Sequence, residues 1–195
     1  LSVTAGFFNF LWESKNMAFS TGDDEFILSF KKQAGFLEKS LQENPGDLET
    51  QAALGSVYYE LAMYYWVQGQ EEGKIYAAKS QELLSSVAEG GLREPPVTLK
   101  IALLAAFIEK DDLLAEKYFR NTLELQDDYP EAHFYFGIFL DSRGRAAEAK
   151  IHWESVLQQV EEDSPLALEA QHYLQVYAEK DNSKEKGAER SAGEN

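Results

Sequence analysis

Few side chains in this sequence could carry chemistry. There are three histidines, His133, His152 and His172, and no cysteine. Without thiols the chain has no disulfide, thiolate nucleophile, zinc–thiolate site or iron–sulfur cluster. The histidines stand 19 and 20 residues apart, whereas two ligands on one helix face need a spacing of three or four. They read as surface or packing histidines. The acidic pairs Asp23-Asp24, Asp111-Asp112 and Asp127-Asp128 fall at expected helix starts or turns. A carboxylate there satisfies free amides and the helix dipole, so these are expected to be caps. A catalytic pair would need one carboxyl raised in pKa by an apolar pocket, and none has the alternating spacing of a calcium loop. Gly90-Gly91 lacks the Lys-Ser/Thr of a phosphate cradle, and no serine sits in a nucleophile elbow. The chain reads as a non-enzyme, with no catalytic residue, no metal and no cofactor expected.

The elements that must position any site come next. With 195 residues the chain is one ordinary domain or a short repeat array. It carries 34 acids against 18 bases, a net of -16, with 44% hydrophobic residues, so it can bury a core despite its charge. The acid surplus opposes binding to a phosphate backbone, and no nucleic-acid partner is expected.

The two ends differ from the body. Residues 1–12 (LSVTAGFFNFLW) are apolar and aromatic, and the missing Met predicts a fragment or processed product. Twelve residues are too few to span a bilayer, which takes roughly 20. Two readings stay open: an amphipathic helix packed onto the array, or the outer end of a membrane anchor completed upstream of Leu1. Localisation stays open with them, cytoplasmic or membrane-anchored. At the far end, residues 179–195 lack any large apolar residue and are expected to form a disordered polar tail. That tail holds five acids and four bases, so residues 1–178 keep 29 acids against 14 bases, a net of -15. The acidity belongs to the body.

Between the ends, apolar residues recur at three and four spacing and no alternating strand pattern occurs. All five prolines sit at segment edges, where the missing amide costs nothing. Counting from Pro130 as position one, Phe136-Gly137, Leu140, Ala149, Trp153 and Val156 fall at positions 7, 8, 11, 20, 24 and 27. Counting from Pro96, Ala115 and Phe119 fall at 20 and 24. Leu54-Gly55 and Tyr58 place a further opening at Leu48, after the turn Asn44-Pro45-Gly46-Asp47. This 34-residue pattern resembles that of the tetratricopeptide repeat proteins. The resemblance covers most of residues 28–178, and is strongest over 130–163.

It implies an all-α fold, a right-handed superhelical α-solenoid of antiparallel helix pairs. Residues 23–178 would form it, with units near 48–95, 96–129 and 130–163 and a capping helix over 164–178 begun by Ser164 and Pro165. The unit from Leu48 runs 14 residues longer than the repeat, so its first helix should be extended, with Ala78 as the small residue of its second. Small residues at Gly55 and Gly137 would let neighbouring helices approach, and stacking would bury what a single pair cannot.

The resemblance also implies a concave surface lined by the first helix of each pair. Carried across, it offers Tyr59, Lys100, Leu104, Phe107, Phe134, Ile138 and Asp141, an apolar centre with charge at its edge. The carboxylate clamp of chaperone-binding members would need Lys and Asn where this chain has Ala52 and Ser56, and is absent. The favoured function is a protein-interaction scaffold taking an apolar segment of a protein or peptide partner. The alternatives are a membrane-tethered structural or assembly factor whose groove is filled by its own helices, and self-association.

Overall fold

The structure, a computed structural model, describes the backbone from Asp23 to Ala192 and side chains from Glu25 to Ala178. The apolar run of residues 1–12 lies outside the described residues. Helix α1 spans Asp23–Glu43, α2 Leu48–Val67, α3 Glu72–Glu89 and α4 Pro95–Leu103. A π-helical segment, Leu104–Glu109, continues α4, and α5 spans Asp112–Leu125. Then α6 spans Pro130–Ser142, α7 Ala146–Gln159 and α8 Pro165–Ala192. The described residues contain no strand. Two compact units divide the chain between Gln126 and Asp127.

In the first unit, α1 presents a stripe at three and four spacing. Ile27, Phe30, Ala34, Leu37 and Leu41 pack against Leu54, Val57, Tyr58, Leu61 and Tyr64 of α2. The helix stops before Pro45, which cannot continue it. Asp47 then caps α2, its carboxylate accepting from the Glu49 and Thr50 amides. The Tyr58 hydroxyl donates to the Glu38 carboxylate and ties the two helices together.

The extra length of the first pair is shared by both its helices. They run 20 and 18 residues against 13 and 14 for α6 and α7, so the extension is not confined to the first. Ser80 donates to the Gly55 carbonyl at 2.7 Å, and a β-carbon on Gly55 would stand 2.7 Å from Leu84 Cδ2. The buried stripe of α3 runs through Gly73, Ala77, Ser80, Leu84 and Val87. Ala78 is exposed, so the small residue at the crossing is Ala77. The expected register was one position late: 14 additional residues shift the count, and the stripe follows 3.6-residue periodicity from Gly73.

Between α4 and α5 the buried hydroxyls of Thr98 and Thr122 meet at 2.9 Å. Glycines close two of the other helix turns in the left-handed region, Gly69 at φ 70° and Gly144 at φ 76°. After the π-helical segment the same place is held by Lys110, at φ 63°.

In the second unit Ala149, Trp153 and Val156 are the buried residues of α7, at the positions expected from the repeat. Ser164 accepts from the Ala167 amide at 3.2 Å and starts α8. That helix does not end near Ala178; its backbone continues to Ala192. The polar sequence expected to be disordered is rich in Glu, Lys, Ala and Arg, all strong helix formers needing no apolar face to continue an established helix.

Candidate functional site

The seven residues expected to line a concave surface divide between the units. Tyr59 sits on α2, Lys100 on α4, and Leu104 and Phe107 on the π-helical segment; Phe134, Ile138 and Asp141 sit on α6. The five apolar or aromatic ones are buried, with exposures of 5% or less. Lys100 and Asp141 are half-buried.

In the first unit Lys100 and Tyr59 are brought together, the ammonium lying 5.6 Å from the ring centre. This distance permits a cation–π attraction, stronger for being partly desolvated. In the second unit Phe134 meets Tyr173 of α8 edge-on at 5.8 Å, and Tyr173 stacks on Trp153 at 4.9 Å. Burial, then the nearby carboxylates of Glu169 and Asp141, pushes the Tyr173 phenol up to about 12. Phe134 and Asp141 therefore both act on one residue of the last helix.

Two clefts open in the first unit. One, of about 460 Å³, is lined by Arg93, Thr98, Lys117, Asn121, Glu124 and Leu125 among others. The other, of about 400 Å³, is lined by Ile27, Lys31, Tyr64, Tyr65 and Gln68 among others. A hydrogen bond to Tyr65 holds the Lys31 ammonium above its ordinary pKa. Neither cleft includes any of the seven.

Burial, with Asp111 beside it, raises the Glu109 carboxyl. Asp111 itself accepts from the Leu114 amide at 3.0 Å, the capping role expected of it. The other expected caps differ. Asp127 offers its backbone carbonyl to His133, at 2.9 Å, and α6 begins at Tyr129 with no side-chain cap. Among the described residues no group of three or more His, Asp or Glu could hold a metal ion.

One polar constellation was hidden by linear spacing. His133 Nδ1 and His152 Nδ1 lie 2.8 Å apart across the α6–α7 hairpin. Their separation of 19 residues is the length of one helix and its turn, so the signal lay in the hairpin register and not in helical spacing.

Solved structures carry the same fold. A structure described as MamA matches with a TM-score of 0.59 at 18% identity, over 87% of this chain and 99% of that one. YrrB, described as a TPR protein with an unusual peptide-binding site, matches with a TM-score of 0.61 at 19% identity, over 95% of this chain and 80% of that one. TTC0263, a thermophilic TPR protein in Thermus thermophilus, matches with a TM-score of 0.52 at 22% identity, over 78% of this chain and 95% of that one. No family model and no curated protein matches the chain. The architecture expected from the 34-residue pattern is the one found: an all-α, tetratricopeptide-like fold.

Proposed function

We propose that this tetratricopeptide-like fold serves as a non-catalytic interaction scaffold holding a segment of a partner protein against the first helices of its pairs. The observation behind it is chemical. Tyr59, Lys100, Leu104 and Phe107 in one unit, and Phe134, Ile138 and Asp141 in the other, pair apolar bulk with a charged neighbour. The glycine contacts at Gly55 and Gly137 need none of them to hold a helix pair together. A peptide site on YrrB, a protein of like fold, supports the reading. Because the apolar members are buried, an incoming segment takes the place of atoms of this chain, and Lys100 and Asp141 are the groups it meets first.

The test uses the full chain as bait, with Lys100→Glu and Asp141→Lys. Both sites are half-buried and charged, so reversal should leave helicity and melting temperature near wild type while partner capture falls at least tenfold. Equal capture by wild type and both variants would remove the site.

A second reading is favoured by the Phe134–Tyr173 contact: the chain's own helices fill the space, and the protein is a structural or assembly factor. Phe134→Ala would then cost about 3–5 kcal/mol of stability without changing capture. The membrane tether belonging to that reading rests on residues 1–12, outside the described residues. Among the described ones, no helix is long and apolar enough to cross a membrane.

A further inference from the structure

We propose that His133 and His152 form a two-histidine site for a tetrahedral divalent cation, of which zinc is the natural example. His133 lies in the first turn of α6 and His152 midway along α7. The Nδ1 atoms face one another at 2.8 Å in a half-buried contact. Each ring is also fixed from another side. His133 Nε2 donates to the Asp127 carbonyl at 2.9 Å, which in the neutral ring leaves its Nδ1 lone pair directed at His152. The His152 ring centre lies 4.6 Å from that of Phe136. A backbone carbonyl holding one imidazole nitrogen so that the other can ligate is the usual support of a metal-bound histidine.

Distances select the ion. Two imidazoles on a tetrahedral zinc ion, with Zn–N of about 2.05 Å, hold their nitrogens about 3.3 Å and their ring centres about 5.2 Å apart. The ring centres here are 5.1 Å apart, so the rings are already at the required separation, and tilting them in place opens the nitrogens by about 0.5 Å. A square-planar ion with bonds of about 2.0 Å would instead bring the ring centres to about 4.5 Å, which requires the helices to close up.

Before the ion binds, one proton lies between the two Nδ1 atoms, and the Asp127 contact assigns it to His152. On binding, that proton leaves Nδ1 and His152 becomes the Nε2–H tautomer, so the pair stays neutral and both Nδ1 lone pairs face the ion. Two coordination positions remain for water or for an added ligand, consistent with there being no cluster of three ligating side chains among the described residues.

Calorimetric titration of the full chain with zinc chloride, together with ¹⁵N spectra of the histidine rings, tests this. One equivalent should bind. His133→Ala and His152→Gln should each weaken it at least tenfold, and His172→Ala should leave it unchanged. In the wild type the Nδ1 signals of His133 and His152 should move to metal-bound positions as zinc is added, and the His152 Nε2 signal should become that of an N–H. Unaltered binding in the His133 and His152 variants, no binding at millimolar zinc, or ring signals of these two residues that zinc does not move would overturn the site. The ring spectra decide it even where a variant fails to fold.

Discussion

The backbone of Gly137 and the indole of Trp153 are in such close contact that a β-carbon on the glycine would fall 2.5 Å from the indole Nε1. That nitrogen is buried with no hydrogen-bond acceptor, so the indole sits where it does for packing. The same repeat position in the first pair, Gly55, faces Leu84, whose Cδ2 would be 2.7 Å away. A leucine terminus can change rotamer, whereas a fused ring must move as a plate. Gly137→Ala is therefore expected to cost about 1–3 kcal/mol as overpacking. Gly55→Ala should cost less, because relief at Leu84 and a helix-propensity gain of about 1 kcal/mol offset the crowding. Urea denaturation of the two variants gives the order, and a reversed order would mean that Trp153 finds room that Leu84 lacks.

Gln81 on α3 is buried with neither amide atom hydrogen-bonded. An unpaired buried polar group costs about 1–3 kcal/mol, and an apolar residue of similar shape removes that cost. Gln81→Met should raise the urea midpoint, corresponding to about 1 kcal/mol. A lowered midpoint would show that the amide is satisfied in solution.

Alkaline pH should weaken the protein through its buried phenols. Tyr173 titrates at about 12 in the fold because burial disfavours its phenolate, and burial also raises Tyr58 and Tyr135. An unfolded tyrosine ionises near about 10. Between these values the unfolded chain has released a proton that the folded one keeps, so stability is intact below about pH 10 and declines as pH rises towards about 12. Tyr173→Phe should make the decline shallower. An equally steep decline in the variant, measured by melting temperature from about pH 9 to 12, would discount this residue.

Much of the fold was legible because repeat positions are steric requirements. Gly137, Ala149 and Trp153 could be read from residue type alone, since only small residues fit one side of the crossing and only a large one fills the other. Where spacing departed from 34 residues the reading slipped, taking Ala78 for Ala77, because an extended hairpin fixes its register by packing and not by count. The site was less legible. Leu104, Phe107 and Phe134 have the composition of a binding face, yet apolar residues of one type serve a groove and a core alike, and burial separates them only in three dimensions. His133 and His152 gave no local signal, since their contact depends on where two helices cross.

The π-helical segment has a bearing on how such chains are measured. From Pro96 to Tyr129 the unit is 34 residues long, the same as its neighbour, yet the two spend that length differently. Helix α4 with its wide-turned continuation runs unbroken from Pro95 to Glu109, and only Lys110 and Asp111 separate it from α5. In the next unit three residues, Arg143 to Arg145, separate two shorter helices. A residue gained inside a helix has been taken from a connection, so the ruler still reads true while its graduations have moved. Equal repeat length here records equal chain, and side chains aligned by count beyond Leu104 need not be equivalent in space.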